Sequence, residues 1–260
     1  MDNTFEIVSI RLANALFASS LVVLFYDHLI TLHSEIRLLW KRPKNASGYL
    51  FFVNRYLALG NIVTAVALFP NSFTPSIFRP VTEGVVFAIF SLRIYALYGC
   101  RRVVLLAFTI ITISGTVISI WFSLPKDPST PSNLGCQIIL SPNDGSTTAV
   151  GWEGLMVADA ILFSLTIRKA YQVHFSLSGI KVGRSLLSVV VRDGSLYFLV
   201  MTLLNLANII SLHVASPLQG NLSAFVGCLS VTLTSRMILN LHEAADTGLY
   251  TDHTTTVIRY

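Results

Sequence analysis

An all-α, polytopic seven-helix transmembrane bundle, N-terminus outside and C-terminus cytosolic, is the fold class that three features of the sequence predict. The first is composition. Of 260 residues, 53% are hydrophobic and 12% charged, and the mean hydropathy is +0.67. An ordinary soluble domain carries about 25% charged residues. A soluble chain of 28.6 kDa cannot hide so much apolar surface, because surface shrinks too slowly with size. A cytosolic enzyme, a nucleic-acid-binding domain, a disulfide-stapled secreted module and a disordered chain are thereby excluded. The second feature is a series of apolar runs long enough to cross a bilayer. The third is the placement of lysine and arginine between those runs.

A spanning helix needs roughly 20 mostly apolar residues at about 1.5 Å each. Seven runs qualify. Leu12–Leu32 carries Asp27 and His28 late, and Tyr49–Phe69 is interrupted early by Asn54 and Arg55. Val81–Tyr98 holds Glu83 near one end and Arg93 near the other, and Val103–Leu124 has no charge. Val150–Ile167 holds Glu153 and Asp159, Gly194–Leu212 is uncharged, and Leu222–Leu241 carries Arg236 late. One charged group at mid-bilayer costs about 2.5–3.5 kcal/mol, and less near the ends. Of the acids and bases in the third and fifth runs, only Asp159 is central. Residues 1–241 form a single transmembrane domain, and 242–260 a polar, Thr-rich cytosolic tail expected to unwind after a turn or two of helix.

The basic residues test this register independently. The connections after the first, third and fifth spans and the tail carry 12 of the 18 lysines and arginines. The N-terminal segment and the other connections carry 3, namely Arg11, Arg79 and Lys126, and the remaining three lie inside spans. Cytosolic loops hold such an excess, so this alternation orients the bundle and would be scrambled by moving one internal span. No signal peptide is expected: the start, Met1 to Glu6, is acidic, and the first span serves as a signal-anchor. The net charge of +5 resides in these loops, where anionic lipid headgroups rather than nucleic acid are the expected partner. The longest connections are Pro125–Ala149, an irregular outer loop, and Arg168–Asp193, a basic cytosolic loop suited to a protein partner. Trp121, Trp152 and Trp40 fall at the membrane edges, as interfacial anchors do.

Intramembrane ionisable residues are the candidate functional groups, because they are expensive to place there. Counted from the inner ends of their spans, Asp27, Arg55, Arg93 and Arg236 lie 5, 6, 5 and 5 residues deep. At about 1.5 Å per residue they share a level roughly 7–9 Å inside the cytosolic face. Such a layer is either a conformational lock, with Asp27 bridging to Arg55, or a set of arginines snorkelling to headgroups above a neutralised Asp27. Asp159 has no evident partner at its depth. It is either an intramembrane ligand or proton site, or a hydrogen-bonded structural acid. Polar stripes at helical spacing, Thr109–Thr112–Thr116–Ser119–Ser123, Thr202–Asn205–Asn208 and Ser223–Gly227–Ser230–Thr234, mark helix–helix faces.

Catalytic and metal chemistry is not expected, and neither is a cofactor. His242-Glu243-Ala244-Ala245-Asp246 ends in Asp where a zinc helix needs His. His28 and His33 are five apart, off the i,i+4 spacing of one helix face. No lysine lies in a span, so no retinal Schiff base is possible, and there is no phosphate loop and no G-x-S-x-G. The three cysteines, Cys100, Cys136 and Cys228, make no disulfide framework.

Tyr26-Asp27-His28-Leu29-Ile30-Thr31-Leu32, then Glu35, Trp40-Lys41-Arg42-Pro43 and Asn54-Arg55-Tyr56, resemble the N-terminal signature of a large family of uncharacterised multi-pass membrane proteins of basidiomycete fungi, defined by a domain of unknown function. Arg93 to Gly99 and Ser235 to Leu241 are similar to its later segments. The resemblance implies a fungal integral membrane protein of about seven helices without an established activity. His28 stands where the pattern leads one to expect an aromatic residue, and the connection between the second and third spans lacks the cysteine that would pair with Cys136. The topology by itself favours a receptor-like protein whose ligand is unknown, with a small-molecule or ion transporter or channel using Asp159, and a non-catalytic structural membrane protein, as alternatives.

Overall fold

The computed structural model describes residues 3–41, 46–67, 78–123, 142–177, 186–213 and 222–257. Among them there are seven α-helices and no strand. They are α1 (Asn3–Glu35, continued by a π-helical turn at Ile36–Trp40), α2 (Ala46–Ala67), α3 (Phe78–Leu97), α4 (Arg102–Ser123), α5 (Pro142–Leu177), α6 (Leu186–His213) and α7 (Leu222–Val257). All but α2 are long and apolar enough to cross a membrane. In lipid every backbone N–H and C=O must be satisfied within the segment, which helices do. The chain is an integral, multi-pass membrane protein.

The helices overrun the apolar stretches that the sequence marks. α1 begins well before Leu12 and reaches Trp40, not Leu32. α5 starts ahead of Val150 and continues beyond Ile167 to Leu177, and α6 starts before Gly194. The basic segment 168–193 is therefore mostly helix, with only 178–185 outside the described residues. α7 runs on through Val257 where the sequence predicts an unwinding tail. Hydropathy reports where lipid ends, whereas the i→i−4 ladder continues through polar residues. The outer-loop residues 124–141, with Cys136, and residues 68–77 lie outside the described residues.

Neighbours in space close a ring α2–α3–α4–α5–α6–α7, with α3 and α7 also in contact across it and α1 laid against α7. α7 is the most buried helix and α4 the least. Along α4, Val103, Ile110, Val117 and Trp121 are 78, 65, 60 and 70% exposed, an apolar stripe the length of the helix that suits hydrocarbon. Its other side is Phe108, stacked near Phe87, then Thr112, Thr116 and Ser119. Thr109, at the head of the predicted stripe, instead faces outward and returns its hydroxyl to the Leu105 carbonyl. Gly84 of α3 lies so close to Thr116 that a Cβ there would strike the hydroxyl. Between α3 and α4, Gly99 (φ 74°) and Cys100 (φ 57°) form a Schellman turn in which the Cys100 amide donates to the Tyr95 carbonyl at 3.0 Å.

Candidate functional site: a buried ionic cluster joining three helices

On α1, Asp27, Thr31 and Glu35 are spaced by four and share one side. Asp27 and Glu35 are 2% and 0% exposed. The helix then widens into the π-turn, whose i→i+5 spacing sets Trp40 above Glu35, and the indole Nε1 donates to Glu35 Oε1 at 3.0 Å. The same oxygen accepts from the Tyr56 hydroxyl of α2 at 3.2 Å.

Arg55 of α2 is the largest fully buried side chain among the described residues. Its Nε is 2.9 Å from Glu35 Oε2, its Nη2 donates to the His28 carbonyl at 2.9 Å, and its Nη1 is 3.9 Å from Asp27 Oδ2. The Glu35 contact is a charge contact whose angle falls outside hydrogen-bond geometry. The guanidinium carbon sits 5.6 Å from the centre of the Phe51 ring. α1 and α2 hardly touch through their backbones. Arg55, Tyr56 and the edge-on His28–Tyr56 ring pair join them instead.

From α7, Arg236 donates through Nε to Asp27 Oδ1 at 2.5 Å. Its side chain is 43% exposed, so this arginine reaches Asp27 from the rim, whereas Arg55 reaches it from within. Next to each arginine, Asn54 Nδ2 donates at 3.3 Å both to the Val231 carbonyl and to Ser235 Oγ, fastening α2 to α7. Asp27 and Glu35 with Arg55 and Arg236 make a neutral set, the condition under which charges tolerate burial. The chemistry open to this arrangement is exchange of ion-pair partners: Asp27 faces two guanidiniums at unequal distance.

Of the four residues placed at one level by sequence depth, the structure brings Asp27, Arg55 and Arg236 together. Arg93 is half-buried on α3, and no described contact joins it to Asp27. Its level in the membrane is not its direction: α3 packs on α2, α4, α5 and α7, not on α1. Asp159, to which depth alone assigns no evident partner, has one. Asn205 Nδ2 of α6 donates to its Oδ2 at 2.6 Å, with Asp159 5% and Asn205 0% exposed. Asn208, one turn on, accepts from Ser223 of α7 at 2.9 Å, so the α6 and α7 stripes face each other. Glu35 belongs to the signature that the resemblance rests on, but the depth count omits it because the apolar run ends at Leu32. Its signal was the spacing of eight from Asp27, two helical turns along the same side.

Residues 15–60 match the model of a family of unknown function, DUF6533. The matched stretch holds Asp27, His28, Glu35, Trp40, Asn54, Arg55 and Tyr56, which is every member of the cluster except those that α7 contributes. No curated protein and no solved structure is detectably similar to the chain.

Proposed function

We propose that the protein is a receptor-like membrane protein whose ionic cluster is a conformational lock. In this reading all seven helices cross, the N-terminus lies outside, and the C-terminus and the cluster lie at the cytosolic side, as the 12-to-3 partition of basic residues supports. The observation that carries the lock is the rivalry for Asp27: buried Arg55 at 3.9 Å and half-exposed Arg236 at 2.5 Å. With Arg236 engaged, α7 is drawn onto α1. With Asp27 transferred to Arg55, α7 is released and one buried guanidinium serves both carboxylates, Asp27 and Glu35. A ligand acting from outside or from within the bilayer biases that equilibrium by its differential affinity for the two states. The readout falls on the segment 168–193, whose Arg168, Lys169, Lys181, Arg184 and Arg192 offer basic charge to a cytosolic protein.

The test is a distance distribution between spin labels at Ile36 and Asn240 in lipid nanodiscs, in a background whose native cysteines are replaced. Wild-type protein is expected to show one dominant distance, and Arg236→Gln a second, longer one. An Arg236→Gln distribution identical to wild type, with only a lower melting temperature, refutes the lock and leaves the cluster as static packing.

A further inference from the structure

The ionic cluster near Asp27 is neutral, but a second pair of acids, Glu83 half-buried on α3 and Asp159 buried on α5, is not. Glu83 of α3 and Asp159 of α5 are close enough for their charges to interact, and no arginine, lysine or histidine among the described residues pairs with either. Glu83 Oε1 lies against Gly227 of α7, where an added Cβ would stand 3.3 Å away. The Asn205 carboxamide gives its Nδ2 to Asp159 but leaves Oδ1, on a fully buried side chain, without a hydrogen-bond partner. Asn208, one turn along the same face of α6 and also fully buried, leaves its Nδ2 without one. Two like charges on packed helices of a low-dielectric bundle repel each other and attract a positive charge. The orphaned Asn205 oxygen, on the side chain that touches Asp159, adds a third oxygen, and hard monovalent and divalent cations take oxygen ligands.

The other titratable groups nearby do not supply that charge. Arg79, one turn before Glu83 on α3, is exposed, and no ion pair joins it to Glu83 among the described residues. Glu153 of α5 and His213 of α6 are closed on each other at 2.7 Å. We infer that Glu83, Asp159 and the Asn205 carboxamide oxygen form a binding site for one small monovalent cation, a proton or a sodium ion, held between α3, α5 and α6 under α7. Glu83, near the start of α3, is the entry acid, and Asp159, midway along its apolar run, is the deeper one. The inference is independent of the lock, since no residue is shared.

The test is thermal unfolding of the full chain in nanodiscs of phosphatidylcholine, followed by tryptophan fluorescence. NaCl is compared with choline chloride at equal ionic strength, at pH 8 and at pH 5.5. If the ion is sodium, NaCl near 100 times its Kd raises the melting temperature at pH 8 by on the order of 5 °C, and acidification removes that gain because protons take the same carboxylates. If it is a proton, the salts are equivalent and acidification alone stabilises. In either case Asp159→Asn removes the response, and Gly227→Ala, which crowds Glu83 without touching charge, diminishes it. Should Asp159→Asn fail to fold, Glu83→Gln takes its place. A wild-type protein indifferent to both sodium and pH, or a response unchanged in Asp159→Asn and Glu83→Gln, overturns the site. Arg236→Gln leaves the response present, so failure here and failure of the lock are separate results.

Discussion

Replacing Arg55 by methionine, close to it in length and apolar, isolates what the buried guanidinium does. In the variant, Asp27 keeps Arg236, but Glu35 loses the one cation that pairs with it among the described residues and retains two neutral donors, Tyr56 and Trp40. A carboxylate that is 0% exposed and uncompensated costs about 3–5 kcal/mol when its partner is removed. Arg236→Met removes the shorter contact to Asp27, yet its side chain is 43% exposed and Asp27 still has Arg55, so solvent screening limits the loss to about 1–2 kcal/mol. The distances alone would rank the two in the opposite order, and burial decides. Combining Glu35→Gln with Arg55→Met takes away both charges and their mutual debt, so the double variant loses about 2 kcal/mol less than the sum of the single ones. Reversible unfolding in mixed micelles, titrated with a denaturing detergent and read by tryptophan fluorescence, measures the wild type and all four variants. An Arg55→Met loss no larger than that of Arg236→Met, or strict additivity of Glu35→Gln and Arg55→Met, refutes burial as the controlling quantity.

Three further outcomes are expected. Gly84→Ala overpacks the α3–α4 contact at Thr116 and costs about 1–3 kcal/mol, and adding Thr116→Ala recovers most of it, as a thermal-shift series on the single and double variants would reveal. Arg37→Ala, which breaks a 2.8 Å pair with Glu243 whose two side chains are 52% and 54% exposed, changes stability by less than about 1 kcal/mol and loses even that in high salt; a larger effect would mean the pair is shielded in the membrane-bound protein. A cytosol-only reporter fused after Tyr260 is active and a glycosylation tag at the same place stays unmodified, whereas a glycosylated tag shows that one helix does not cross.

Helix existence was legible because lipid imposes a coarse rule: an apolar run of the right length has to be a helix. Helix ends were not. The rule is silent once the chain leaves hydrocarbon, which is why Glu35, a turn past the last apolar residue of the run, stays outside the count of intramembrane charges although it is as buried as Arg55. Counting residues from a span end recovers depth but not azimuth. It placed Asp27, Arg55 and Arg236 at a level where they do meet, and placed Arg93 at the same level on a helix that does not adjoin α1. Asp159 shows the same gap. Asn205 sits on the adjacent helix, but a carboxamide carries no charge to count, so no arithmetic on ionisable groups could pair the two. The π-turn at Ile36–Trp40 has no local sequence signal beyond the five-residue interval from Glu35 to Trp40, and that interval acquires meaning only once Glu35 is known to need a donor.

The two polar groups differ in a way that bears on how the bundle divides its work. The cluster at Asp27 carries equal numbers of acids and bases and links α1, α2 and α7; its energy depends on which partners touch, so it responds to helix movement. The group at Asp159 carries acids alone and links α3, α5 and α6; its energy depends on what arrives to neutralise it, so it responds to composition of the medium. α7 lies against both, through Ser235 and Arg236 at one and Gly227 at the other. From Gly227 to Ser235 is eight residues, two turns of one rigid helix, and the side chains between them that face inward, Ser230, Val231 and Thr234, are almost fully buried. A cation drawing Glu83 toward Asp159 eases its contact with Gly227, and α7 can respond to that only by moving as a unit, which alters the distance of Arg236 from Asp27. The expected signature is reciprocal: if charge at Asp159 shifts the spin-label distance between Ile36 and Asn240, then Arg236→Gln must shift the apparent affinity for the cation by the same factor. Arg236→Gln is placed to leave the cation response present but not its midpoint, and a midpoint identical to wild type would mean that the two groups, though they share a helix, are not coupled.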